Sequence, residues 1–165
     1  MSKLPDEVHE KVSSLAKPFE KLERLGKDGL VYAYHDPVGY PTIGYGHLLS
    51  RKRYEDLKKF KPIEREVAEA LLQKDIEKAG LAVSRLLKTE VDVDQFSALT
   101  DFAFNVGAGN LQISTLLKKV NRRDFEGAAL EFPKWIYSNG IKLRGLLRRR
   151  LAEQKMFLGE ISDEG

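Results

Sequence analysis

The chain has 165 residues, no cysteine and a formal net charge of +3, from 28 basic and 25 acidic side chains. That length suits one domain able to bury its own core, and the lack of cysteine excludes a disulfide framework and thiolate chemistry. No apolar run approaches a membrane span, residues 1–7 lack the apolar stretch of a secretory leader, and His9, His35 and His47 lack metal-ligand spacing. The charge is uneven. Lys142, Arg144, Arg148, Arg149, Arg150 and Lys155 crowd the last third of the chain. Such an excess favours polyanions (nucleic acid, anionic lipid surfaces, acidic wall polymers) or forms a solvated helix face.

Along the chain, Pro5-Asp6 opens a predicted helix with Val8, Val12, Leu15, Phe19 and Leu22 at helical spacing, closed by Glu20 and kinked or restarted at Pro18. Gly26 to Gly29 breaks it. Leu30 to Tyr34 reads as a strand, Asp36-Pro37-Val38-Gly39 as a turn, and Thr42 to Tyr45 as the return strand. Glu64 to Leu87 is the longest periodic run, with an apolar face of Val67, Leu71, Ala79, Val83 and Leu86. At 1.5 Å per residue it spans roughly 35 Å, enough to join two lobes. Asp94 is read as the cap of the next helix, whose Phe96, Leu99, Phe102, Ala103 and Phe104 are expected to be buried. Shorter helices are predicted over Ser114–Val120, Asp124–Trp135 and Gly145–Leu158. An order of helix, hairpin, then helices only gives an α+β class.

The stretch from Tyr34 to His47 places a carboxylate, Asp36, and a hydroxyl, Thr42, on a glycine-rich hairpin, with Glu20 upstream. A carboxylic acid facing a carboxylate is the minimal equipment for cleaving a glycosidic bond. One carboxyl releases the leaving sugar; the other steers water or stabilises positive charge at the anomeric carbon. Singly, each residue has a structural reading: Glu20 on a helix surface, Asp36 fixing a turn, Thr42 in a strand.

Ala33 to His47 resembles the active-site hairpin of the phage-type lysozymes. Gln95-Phe96-Ser97-Ala98-Leu99, Phe104 to Gly109 and Ser114-Thr115-Leu116 form a second matching block. Trp135, Gly140, Gly145-Leu146 and Arg148-Arg149-Arg150 with Glu153 form a third. The resemblance covers about Leu15 to Gly159. It implies a lysozyme-like α+β fold in one domain over 1–165. Its parts would be a hairpin lobe at about 20–63, a connecting helix at about 64–87, and a helical lobe at about 88–160 that includes the N-terminal helix.

The resemblance also implies a muramidase cutting the β-1,4 bond between N-acetylmuramic acid and N-acetylglucosamine in peptidoglycan. Asp36 and Thr42 match the family's aspartate and threonine spacing. The family's glutamate usually lies nine positions before the aspartate, where this chain has Lys27. Glu20 is the preferred acid because Phe19-Glu20 resembles the family's aromatic-Glu pair; Glu23 and Asp28 are the other candidates. Substrate contacts are expected from Tyr34, Gly46, Asn105 and Gly107. His47 is expected to pair with Asp75 as structural support rather than act as a base, and Trp135 to pack in the core.

No metal or organic cofactor is implied. The implied partner is the glycan strand, with no nucleic acid and no stable membrane insertion. The enzyme would be a monomer that accumulates in the host cytoplasm until a separate holin opens a path to the wall. The alternatives are a glycan-binding relative that has lost its acid, and a lytic transglycosylase.

Overall fold

The computed structural model describes residues 3–20, 22, 24–138 and 140–160. It is α+β and divides into two units. One is Lys17–Asp75; the other joins the residues up to Ala16 with those from Ile76 onward. The division falls inside a continuous helix, α2 (Arg65–Leu86).

The Lys17–Asp75 unit carries the sheet. Strands β1 (Tyr34–His35), β2 (Pro41–Ile43) and β3 (His47–Leu48) form an antiparallel meander in chain order. Tyr34 lies opposite Thr42 and His35 opposite Pro41; on the other edge Thr42 faces Leu48 and Ile43 faces His47. Leu30–Tyr34 is not one strand, contrary to the sequence reading. Val31 bridges Leu25 on one side and Ile63 on the other, exchanging backbone bonds of 2.7 and 2.9 Å with Ile63. The ladder proper starts at Tyr34. The unit's core is small: Val31, Ile43 and Ala68, flanked by Leu22, Ala33, Tyr45, Leu49, Ile63 and Leu71. Gly44 has φ +66°, and a Cβ there would sit 3.1 Å from the Ala68 Cβ. A glycine is needed both for that backbone and for the close approach to α2.

The other unit is helical: α1 (Asp6–Ala16), the second half of α2, α3 (Val93–Val106), α4 (Ala108–Gln112), α5 (Thr115–Asn121), α6 (Phe125–Ala129) and α7 (Arg144–Phe157). Its core gathers Leu15, Val83, Leu99, Phe102, Leu111, Leu116, Val120, Phe132 and Phe157. Phe102 meets both Phe132 and Trp135 edge-on, at 5.7 and 5.4 Å between ring centroids. Each such pair adds about 0.5–1.5 kcal/mol beyond area burial.

Several details differ from the sequence reading. α1 stops at Ala16, since Pro18 ends the helical ladder, so Glu20 lies in a bend four residues past the helix rather than at its end. On α2 the buried side chains are Ala68, Leu72, Ile76 and Val83, whereas Val67 is 45% exposed. Of the predicted set, Val83 is buried and Leu71, Ala79 and Leu86 are partly buried against apolar clusters, so Val67 alone falls off the apolar face. Asp92, not Asp94, caps α3 in a capping box with Gln95, and Asp94 pairs with Lys11 at 2.9 Å. Phe104 and Phe96 are only half-buried. Asp124–Trp135 is not one helix: α6 gives way to a 3₁₀ turn at Phe132–Lys134, where Pro133 cannot continue the α ladder. Finally, the second half is not helices only, because β4 (Tyr137–Ser138) pairs with β5 (Ile141–Lys142).

Candidate active site

The hairpin turn is built around Asp36. Its Oδ1 accepts the N–H groups of Val38, Gly39 and Tyr40 at 2.9, 2.8 and 2.9 Å. This Asx-type arrangement fixes the side chain while the main chain closes through Asp36 N–H to the Tyr40 carbonyl, 2.9 Å. All three bonds fall on one oxygen, and Oδ2 carries none among the described residues. Thr42 is buried, and its hydroxyl donates to the Tyr40 carbonyl at 2.8 Å. Asp36 and Thr42 are therefore tied to the same residue's peptide atoms. Because the Thr42 proton points at that carbonyl, its oxygen presents acceptor lone pairs elsewhere.

The Glu20 carboxyl lies against Gly46. A Cβ at Gly46 would be 2.5 Å from Glu20 Oε1 and 2.8 Å from its Cδ, and Gly46 has φ +78°. Only glycine admits the carboxylic group at this distance from the backbone. Glu20, Asp36, Thr42, Tyr34 and Gly46 thus belong to one unit, with Tyr34 directly across from Thr42 in the ladder. Glu23 lies outside the described residues. Asp28 has both oxygens engaged, with the Leu30 N–H at 3.0 Å and the Tyr32 hydroxyl at 2.5 Å. Those bonds, the Tyr32 one first, hold Asp28 below its ordinary range, which is the wrong direction for a proton donor.

His47 Nδ1 lies 2.7 Å from Asp75 Oδ2, joining β3 to α2. A lysine the sequence reading passed over, Lys17, stands 2.6 Å from Glu69 and 5.4 Å from the Tyr45 ring centroid. The far end of the hairpin is clamped by Arg53, whose Nε donates to the Val38 carbonyl at 2.9 Å, and by Tyr54 N–H to the Gly39 carbonyl, 2.7 Å.

In the helical unit, Asn105 lies in the last turn of α3 and Gly107 caps that helix with φ +99°. Asn105 Oδ1 accepts from Arg150 Nη2 at 2.7 Å. Arg150 is fully buried and pairs with Glu153, Nε to Oε1 at 2.8 Å, while Arg149 grips Asp101 through two bonds of 3.0 and 2.8 Å. The sequence reading grouped these arginines with a basic surface; the structure instead buries both with carboxylates. The acidic partners, Asp101 on α3 and Glu153 one turn further along α7, were the available signal. Burial, then the bond to Asp101, pushes Glu153 well above the usual carboxylate range. Burial acts most strongly on Asp101 and would raise it, but the Arg149 guanidinium, the bond from Glu153 and the charge of Arg150 together hold Asp101 low. Among the described residues no group of histidine, cysteine and carboxylate side chains is arranged to hold a metal ion.

The phage lysozyme family model matches residues 28–153 of this chain. An endolysin of Bacillus phage B103 is 44% identical over 119 residues, covering 72% of this chain, which spans 43% of that relative's length. A SAR-endolysin of bacteriophage PS119 is 34% identical over 134 residues, 81% of this chain and 77% of the relative. Among solved structures, the muramidase domain of SpmX from Asticaccaulis excentricus superposes with a TM-score of 0.70 at 31% identity, covering 95% of this chain and 97% of that one. The chain belongs to the phage lysozyme family. Its class is accordingly that of the lysozymes, which are glycoside hydrolases.

Proposed function

We propose that the chain is an endolysin that hydrolyses the β-1,4 bond between N-acetylmuramic acid and N-acetylglucosamine in peptidoglycan with inversion at the anomeric carbon. The observation that carries the reading is the joint arrangement in the hairpin unit. A glutamate carboxyl is admitted by Gly46, and a carboxylate and a hydroxyl are both fixed on the Tyr40 peptide.

The steps follow from the lone pairs. Glu20 donates a proton to the glycosidic oxygen as the bond to the anomeric carbon lengthens. A water on the opposite sugar face donates one hydrogen bond to Asp36 Oδ2 and the other to Thr42 Oγ1. Both its protons are then held, and its own lone pair is aimed at the carbon. Asp36 takes the proton as the new C–O bond forms. Inverting enzymes hold their two carboxyl groups roughly 6.5–9.5 Å apart to leave room for this water. Tyr34 and Gly46 line the same hairpin, and Asn105 in the last turn of α3 and Gly107 at its cap supply glycan contacts. With Oδ1 of Asn105 taken by Arg150, the amide nitrogen is the end that meets a sugar oxygen. His47 and Asp75 hold β3 to α2.

The enzyme acts as a monomer and depends on a separate holin to pass from the host cytoplasm to the wall. No helix among the described residues is long and apolar enough to cross a membrane. Digestion of purified peptidoglycan tests the reading. New reducing muramic acid ends should appear with wild type and vanish with Glu20→Gln. Release of 1,6-anhydro ends would make the enzyme a transglycosylase, and no release would make it a binding protein.

A further inference from the structure

Helix α7 is built inside out. Its buried side carries Arg149, Arg150, Glu153, Met156 and Phe157, so a salt-bridged cluster faces the interior. Its exposed side carries Arg144, Leu147, Arg148, Leu151, Lys155 and, at the C-cap, Leu158. At 100° per residue these six fall within an arc of about 100°. Leu147, Leu151 and Leu158 run along one edge, and Arg144, Arg148 and Lys155 along the other. The leucines are 38, 42 and 43% exposed. Among the described residues no acidic side chain pairs with any of the three cations. Lys142, two residues before α7, is also exposed.

Three part-exposed leucines in register offer an edge to an apolar partner, and the cations beside them offer one to an anionic partner. A wall polymer supplies only the anions. An anionic phospholipid bilayer supplies both, with phosphates at the surface and acyl chains just beneath. A helix of 14 residues, about 21 Å long, whose buried side is spent on its own fold is too short and too charged to cross. It is suited to lie in the plane of the surface. We propose that the exposed face of α7 is a peripheral binding site for anionic phospholipid bilayers, with the leucines at the headgroup boundary and Arg144, Arg148 and Lys155 on lipid phosphates. The inference goes beyond the hydrolytic reading and stands without it.

The test is co-sedimentation of the full chain with vesicles of equal parts phosphatidylglycerol and phosphatidylcholine, against phosphatidylcholine alone, at low and physiological salt. Wild type should pellet with the anionic vesicles and stay in solution with the neutral ones. Arg148→Glu should weaken partitioning at least tenfold, since each cation near such a surface is worth about a fivefold factor and the reversal counts twice. The double variant Leu147→Ser, Leu151→Ser should weaken it severalfold while leaving the thermal melt and wall hydrolysis unchanged. Failure of wild type to bind anionic vesicles at low salt, or equal binding to both vesicle types, would overturn the proposal. So would full binding by the double leucine variant, which would hand the basic edge to a wall polyanion.

Discussion

The two units hold their polar groups in opposite ways. In the Lys17–Asp75 unit, Asp36 and Thr42 are bound to main-chain atoms of one turn, beside a core of three buried apolar residues. In the helical unit, Asp101, Arg149, Arg150 and Glu153 are bound to one another and lie inside the fold. A group fixed by the backbone through one oxygen keeps the other for a substrate or a water. A group fixed by an opposite charge in the interior spends everything on its partner. Chemistry should therefore be lost by substitutions in the first unit, and stability by substitutions in the second.

The largest effect expected is at Glu20. Glu20→Gln is nearly isosteric but has no proton to give, so wall clearing should fall by roughly 10²–10⁴-fold with an unchanged melt. Glu23→Gln should clear walls as wild type does, and the reverse outcome in turbidity assays would move the acid to Glu23. Next comes Arg149→Ala, which leaves the Asp101 carboxylate buried without its partner. Chemical denaturation should show a loss of about 3–5 kcal/mol, with activity per folded molecule retained. A smaller loss is expected from His47→Ala. The pair with Asp75 is partly exposed, at 29 and 25%, so the cost should sit near the low end of the range for charged hydrogen bonds, about 1.5 kcal/mol. A stable His47→Ala with no activity would instead make His47 part of the chemistry.

A last effect is a pH dependence. A carboxyl raised on folding contributes stability below its unfolded value, near 4.3, and loses it as pH rises toward its folded value. The amide introduced by Glu153→Gln cannot ionise. Denaturation of that variant across pH 4 to 8 should show its stability relative to wild type rising with pH. A constant difference would show that Glu153 does not titrate between the two states.

How much of this was legible in the sequence varies with the type of interaction. Local chemistry was: Asp36-Pro37-Val38-Gly39 marks a turn, and the glycines around Tyr45 mark close approach. The proposal of Glu20 as the acid rests on resemblance, because its contact with Gly46 spans 26 residues and the helix expected to carry Glu20 ends at Ala16. The burial of Arg149 and Arg150 was hidden by composition. A run of three arginines reads as surface, and it takes Asp101 for Arg149, and Glu153 with Asn105 for Arg150, to hold two of them inside. On α2 Val67 was taken for the buried residue where Ala68 is, since both are apolar and only packing selects between them.

The water held by Asp36 and Thr42 is the central claim, and the anomer first released tests it most directly. Proton NMR during digestion of the β-linked glycan should show the α-anomer of the new reducing sugar before mutarotation, as inversion requires. The β-anomer appearing first would contradict it and make Asp36 a nucleophile on the carbon itself.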